Sequence, residues 1–70
     1  MKNKDLLLKI GAKIRIGRLK KKLSQEELAA IANVNTRSIS QIERGETDIR
    51  LTTLSKIYEA LEYDLSCLIN

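Results

Sequence analysis

The sequence predicts an all-α domain of five helices. Three observations predict it. Apolar residues recur three and four positions apart along most of the chain, and no alternation of period two persists anywhere. The 70 residues contain no proline, no repeat and no low-complexity linker. Residues that start or stop helices punctuate the periodic runs: Ser24, Asn33, Asn35, Gly45 and Asp64.

The first helix is expected from about Lys4 to Lys21. Leu7, Ile10 and Ile14 share one face with Leu6 at its edge, and Lys9, Lys13 and Arg15 turn away. Gly17 interrupts this helix at a cost of about 1 kcal/mol against Ala. It either admits another helix closely or is simply tolerated. Ser24 opens helix two, and Glu27 three residues later completes a capping-box pattern. Leu23 stands where it can staple back onto Leu28. The apolar face of helix two is Leu28, Ala29, Ile31 and Ala32. Asn33 ends the helix because Asn tolerates the left-handed conformation better than most residues. Asn35 is a good N-cap for helix three, which carries Ile39 and Ile42 and ends at Gly45. A loop, Glu46 to Arg50, leads to helix four from about Leu51 to Leu61, with Leu51, Leu54, Ile57, Tyr58 and Leu61 on one face. Asp64 then caps a short fifth helix bearing Leu65, Leu68 and Ile69.

Seventy residues make one domain, near the lower limit for folding without staples. The single cysteine rules out an intrachain disulfide, and the absence of a His/Cys cluster argues against structural zinc. No cofactor is called for. With no Phe or Trp and only Tyr58 and Tyr63, stability rests on aliphatic packing. No apolar run reaches the length of a membrane span, and the N-terminus lacks the long apolar core and cleavage site of a signal peptide. A reducing cytoplasm, bacterial or phage-encoded, is the expected setting. Charge is segregated. Residues 1–23 hold nine Lys/Arg against one Asp, a net +8, and residues 24–70 hold four against eight, a net −4. That asymmetry suits a polyanionic partner, although a solvated helix face is the plainer reading of the same charges.

Residues 24–45, SQEELAAIANVNTRSISQIERG, carry the most information. Two helices this short bury little surface side by side. They must cross steeply and share a third surface, which is the helix-turn-helix geometry. Ala29 lets the second helix approach, and Val34 plugs the turn. The outward face of helix three then holds Thr36, Arg37, Ser40 and Gln41, all able to hydrogen-bond to base edges or phosphates.

With these residues placed, the chain resembles the Cro/repressor-type helix-turn-helix family, the XRE family, which includes phage repressors and restriction–modification controller proteins. The resemblance spans about residues 8–69. Its specific parts are S-Q-E-E-L-A at 24–29 and S-I-S-Q-I-E-R-G at 38–45, while LTTLSKIYEALEYDLSCLI fits helices four and five by pattern. It implies a compact five-helix, lambda-repressor-like DNA-binding domain over residues 1–70. The helix-turn-helix core is 24–45, and helices 51–69 are the expected dimer interface.

The resemblance also implies roles. Gln25 falls on the family's phosphate-gripping position, aided by the positive end of helix two. The base-reading positions fall on Thr36, Arg37 and Gln41 with Ser40 beside them: Arg37 pairs with guanine, Gln41 with adenine, and the Thr36 methyl meets a thymine methyl. Backbone contacts are implied for Ser24, Asn35, Arg44 and Thr47, with Lys22 as an addition. Arg18 and Glu43 fall on an ion pair that seats helix three on helix one, whose buried form would cost about 3–5 kcal/mol to break from one side. An exposed pair would be worth under about 1 kcal/mol. Arg15 and Lys20 to Lys22 are either a solvated face or sequence-independent phosphate contacts. Tyr58, Tyr63, Leu65, Leu68 and Ile69 either complete the core or form the two-fold interface that sets two recognition helices about 34 Å apart. Cys67 has no acid or base partner for nucleophilic chemistry and is expected partly exposed. The chain departs from the family at Lys22, Asn33 and Glu62, where glycine is common, and at Ile49, where proline is frequent.

The function implied is sequence-specific binding of double-stranded DNA by a transcriptional regulator, a repressor or controller protein, acting as a homodimer on a near-palindromic operator. A chain of this size leaves no room for a sensing or catalytic domain, and an enzyme is not expected. RNA polymerase, reached through Glu26 or Glu46, and a toxin or antirepressor are further candidate partners. The competing reading is an antitoxin or adaptor module whose main partner is a protein, because the same fold serves both.

Overall fold

The computed structural model describes residues 3–64, and the helical periodicity of the sequence is realised in four α-helices among them: α1 (Asn3–Lys20), α2 (Gln25–Ala32), α3 (Thr36–Glu43) and α4 (Leu51–Ala60). There is no strand among the described residues. The expected fifth helix, with Leu65, Cys67, Leu68 and Ile69, lies outside them. Helix α3 packs against both α1 and α2, and α4 packs against α2. The core is aliphatic apart from Tyr58: Ile14 of α1, Leu28, Ala29 and Ala32 of α2, Ile39 and Ile42 of α3, and Leu54, Ile57, Tyr58 and Leu61 of α4 and its C-cap. Leu23, Val34 and Ile49 in the connections pack onto it.

Three expected core positions belong to the surface. Ile31 is 58% and Leu51 is 68% exposed, and Leu6 is also exposed. Ile31 sits at the edge of the α2 face that Leu28, Ala29 and Ala32 turn inward. An eight-residue helix between two neighbours buries only that narrow strip. Tyr58 is corrected in the opposite sense. The expected interface residue is 1% exposed and lies within the chain's own core, its ring meeting that of Tyr63 edge to face with centroids 5.4 Å apart.

All four helices end in one motif. The amide of the residue after the last turn, at Lys22, Asn33, Gly45 and Glu62, donates three residues back, and the next amide donates five back. These second bonds are Leu23 N to Arg18 O (3.1 Å), Val34 N to Ala29 O (2.9 Å), Glu46 N to Gln41 O (3.0 Å) and Tyr63 N to Tyr58 O (2.7 Å). This double closure satisfies carbonyls that a helix end otherwise leaves open, and it requires a left-handed residue. Lys22, Asn33, Gly45 and Glu62 accordingly have φ of 58°, 58°, 68° and 61°. Only Gly45 takes that conformation freely. Lys22, Asn33 and Glu62, where the family commonly has glycine, therefore make the left-handed turn at the cost of strain. Apolar residues follow three of the four turns, and Leu23, Val34 and Tyr63 pack against the core. Lys21, beside the strained Lys22, forms an exposed ion pair with the strained Glu62, and the Lys21 ammonium holds the Glu62 carboxyl below its ordinary range.

The glycines inside α1 are contact points. A Cβ on Gly11 would lie 2.9 Å from the Glu43 carbonyl oxygen and press on the Ile42 carbonyl as well. A Cβ on Gly17 would meet the Tyr63 ring 2.7 Å from Cζ. Gly17 thus admits a tyrosine from the end of the chain, whose hydroxyl donates to the Lys13 carbonyl at 3.4 Å. Gly11 sets how closely α3 lies on α1.

Two substitutions test these points. Gly11→Ala should destabilise the protein by about 1–3 kcal/mol despite alanine's better helix propensity, because backbone carbonyls cannot move aside. Lys22→Gly should stabilise it by up to about 1 kcal/mol, since relief of the left-handed strain outweighs the added freedom of the unfolded chain. Thermal unfolding followed by circular dichroism reads both, at about 4–8 °C per kcal/mol for a domain of this size.

Candidate nucleic-acid interface

The end of α1 and the start of α2 prepare the site. Ser24 accepts the Glu27 amide at 3.0 Å, and the Glu27 carboxylate accepts the Ser24 amide at 2.8 Å. This reciprocal cap fixes where α2 starts and therefore where Gln25 sits. The Ser24 oxygen is engaged in the cap, so what it can offer an anion is its hydroxyl proton. Asn35 occupies the N-cap position of α3, but its side chain makes no capping hydrogen bond. Its expected capping role is not the one observed.

Helix α3 turns Ile39 and Ile42 into the core. On the opposite side Arg37, Ser40, Gln41 and Arg44 follow at helical spacings of three, one and three, with Thr36 at the leading edge. Thr36, Arg37 and Arg44 are exposed, and Ser40 and Gln41 are half-buried at the flanks. The helix is thus a row of hydrogen-bonding side chains with an apolar back.

Its pose is held by one part-buried ion pair. Arg18 Nε donates to Glu43 Oε2 at 2.7 Å and an Nη donates to Oε1 at 3.1 Å, with the two side chains only 11% and 4% exposed. The other Nη donates to the Leu23 carbonyl at 2.8 Å. One guanidinium thereby joins α1, the α1–α2 turn and the end of α3. The hydrogen bond to Glu43 holds the Arg18 proton more firmly than usual, outweighing the opposing effect of burial. Glu43 Oε1 also accepts from the Gln25 amide nitrogen at 3.3 Å. The sequence pairing of Arg18 with Glu43 appears here in a part-buried form, but the third partner was not foreseen. The available signal was positional: Gln25 opens the helix that crosses α3, which brings it to the end of the same carboxylate.

Two grooves flank α3. One, between α1 and α3, is lined by Arg15, Arg18, Gln25, Ser40, Glu43 and Arg44. Because Glu43 is neutralised by Arg18, the groove keeps the charges of Arg15 and Arg44. Arg15 lies in this groove beside Gln25, whereas Lys20, Lys21 and Lys22 are exposed outside it. The other groove, between α3 and α4, is lined by Gln41, Thr47 and Arg50 among others. Arg50 is a cation that sequence reasoning passed over, since it sits in a loop without periodicity. Arg44 shares an exposed ion pair with Glu46 at 2.9 Å, and the Thr47 hydroxyl donates to the Asp48 carbonyl at 3.3 Å. Of the expected interface residues, Tyr63 packs on Gly17, Tyr58 is in the core, and Leu65, Leu68 and Ile69 lie outside the described residues. Among the described residues no helix is long and apolar enough to cross a membrane, and no group of three acidic, His or Cys side chains is placed to hold a metal ion.

Comparison with known proteins agrees with this geometry. The model of the helix-turn-helix family HTH_3 matches residues 14–66. The restriction–modification controller protein C.AhdI from Aeromonas hydrophila is 32% identical, with a TM-score of 0.83 over 89% of this chain and 94% of its own. The wild-type controller protein C.Esp1396I is 33% identical, with a TM-score of 0.82 over 91% of this chain and 84% of its own. It has also been crystallised as a tetramer on its natural 35-base-pair operator. The clp gene regulator ClgR from Corynebacterium glutamicum is 26% identical, with a TM-score of 0.83 over 91% of this chain and 68% of its own. No curated protein sequence matches.

Glu43→Ala should cost about 1–3 kcal/mol of stability, because it leaves the part-buried Arg18 guanidinium without its carboxylate. Replacing both partners, Arg18→Met with Glu43→Leu, should cost clearly less. Urea unfolding midpoints of the single and double variants check the ordering.

Proposed function

This chain belongs to the helix-turn-helix family, and on that premise we propose that it is a transcriptional regulator of the controller or repressor kind, binding double-stranded DNA in a sequence-specific manner. The observation that carries the reading is the outward face of α3. Thr36, Arg37, Ser40 and Gln41 stand together on a helix whose position is set by the part-buried Arg18–Glu43 pair. In the major groove this row places Arg37 to donate bidentately to guanine O6 and N7, and Gln41 to pair with adenine.

The backbone grip comes from the groove beside it. Glu43 takes one hydrogen-bond proton of the Gln25 amide nitrogen, which leaves the second for a phosphate oxygen. The N-terminus of α2 adds partial positive charge at that point. Arg15 and Arg44 supply full charges on either side, and Arg44 exchanges its weak exposed partner Glu46 for a phosphate. Asn35 and Thr47 extend the contact at the two ends of α3, with Ser24 and Lys22 at the entry to α2. The protein acts as a homodimer on a near-palindromic operator. Tyr63 and the apolar residues Leu65, Leu68 and Ile69 are the proposed interface, and Tyr58 supports it from within the core.

Selection of bound sites from a random duplex library, with the purified protein at near-physiological salt, tests the function. An enriched palindrome with half-sites about ten base pairs apart supports it. Binding that is salt-sensitive but indifferent to sequence sinks it and brings a protein partner to the front. On the selected site, Arg37→Ala should cost about 1–3 kcal/mol and relax preference at one base pair. Gln25→Ala should weaken all sequences about equally. A quantitative gel-shift series over salt and single-base variants separates the two.

A further inference from the structure

The α1–α3 groove carries the proposed backbone grip, while in the α3–α4 groove only Thr47 has been assigned to a phosphate. The two lie on opposite flanks of one helix. At about 100° per residue, Ser40 and Glu43 line one edge of α3 and Ser38 and Gln41 line the other, with Arg37 between them. A helix about 10–12 Å across fills a major groove about 12 Å wide, so each flank faces the phosphates of one strand. Arg50 borders the second groove, and it does little for its own helix. It is the N-cap of α4, yet its side chain makes no capping hydrogen bond. Ser, Thr, Asp and Asn stabilise that position, and a cation there opposes the helix dipole. Arg50 is exposed, and among the described residues its guanidinium forms no ion pair. A residue that weakens the fold locally without a compensating contact is the kind expected at a functional position.

Resting on the reading that α3 enters the major groove, we propose that Arg50 grips a phosphate of the strand opposite the one held by Gln25, so that α3 is clamped from both flanks. The planar guanidinium presents two parallel N–H groups to two phosphate oxygens. Thr53 borders the same groove and brings a hydroxyl donor to that phosphate. The two flanks grip differently. The α1–α3 groove keeps two cations, Arg15 and Arg44, after Arg18 and Glu43 cancel. The α3–α4 groove sets Arg50 against the carboxylate of Asp48. Its field at a distance is therefore weak, and Arg50 acts at contact more than in long-range steering. A free anion would meet the opposition of Asp48 with little else to hold it. A phosphate delivered by a duplex already seated on α3 is held by every other contact as well.

The test uses the full chain and the duplex selected from the random library. Each phosphate in turn, on each strand, is replaced by a neutral methylphosphonate. The unsubstituted protein should lose affinity several-fold at positions on both strands. Arg50→Ser should abolish that sensitivity at a position on one strand only, and Gln25→Ala at a position on the other. Arg50→Ser should also lower the slope of log affinity against log salt by about 0.9 per chain, and weaken all sequences alike. Its thermal midpoint should rise, because serine caps α4 where arginine does not. A residue serving only the fold would move stability and affinity in the same direction. Asp48→Asn should strengthen binding without changing base preference. An enriched site on which Arg50→Ser keeps the original salt slope and the sensitivity on both strands overturns the proposal alone. So does a loss of base preference at an unchanged slope, which would assign Arg50 to a base edge. Absence of any enriched site overturns the DNA-binding reading and the second-strand grip together.

Discussion

The contact between Arg18 and Glu43 is the constraint on which the other positions depend. Three short helices and an 18-residue one cannot define their mutual angles by apolar packing alone, because aliphatic side chains slide over one another at little cost. A guanidinium bound to two carboxylate oxygens and one backbone carbonyl does not slide. Gly11 complements it from the other side by letting the α3 carbonyls rest on the α1 backbone. One contact draws α3 inward and the other limits the approach, so the outward row from Thr36 to Arg44 is presented at one angle. The carboxylate that fixes the helix also orients Gln25, so the geometry of the proposed base-reading row and of the proposed backbone grip have a common origin.

Much of the fold was legible because helix ends are encoded locally. The Ser24–Glu27 box, the left-handed Asn33 and the turn at Gly45 each follow from the hydrogen-bonding habits of a single residue type. Lys22 and Glu62 were harder to read. Neither favours a left-handed backbone, yet both adopt one, because a following apolar residue, Leu23 or Tyr63, gains burial only if the chain turns there. Tertiary packing overrides local preference at these ends. Periodicity misplaced Ile31, Leu51 and Leu6 for a related reason. It marks which residues share a face, and it is silent on how far the neighbouring helix extends over that face.

The candidate site was legible in its residues more than in its connections. Thr36, Arg37, Ser40 and Gln41 follow from the outward face of a helix whose inward face is Ile39 and Ile42. The bond from Gln25 to Glu43 crosses between two helices, and no local pattern announces it. Arg15 had two open readings as one cation among many, and Arg50 went unremarked because it lies in an irregular loop. Both are placed by long-range packing, which sets the grooves beside α3. Gly17 had an open reading, and its partner proved to be a tyrosine ring and not another helix.

The two tyrosines are the only aromatic residues in the chain, and they stand ring to ring at one corner, where the end of α4 meets α1. Every ultraviolet signal from this protein's side chains therefore originates at that corner. Tyrosine emission and near-ultraviolet dichroism will follow the docking of Tyr63 on Gly17 and the packing of Tyr58 in the core. A spectroscopic change on adding a ligand would thus mean that this corner of the molecule had responded. For a protein without tryptophan, this makes the native chromophores a selective gauge of packing at that corner.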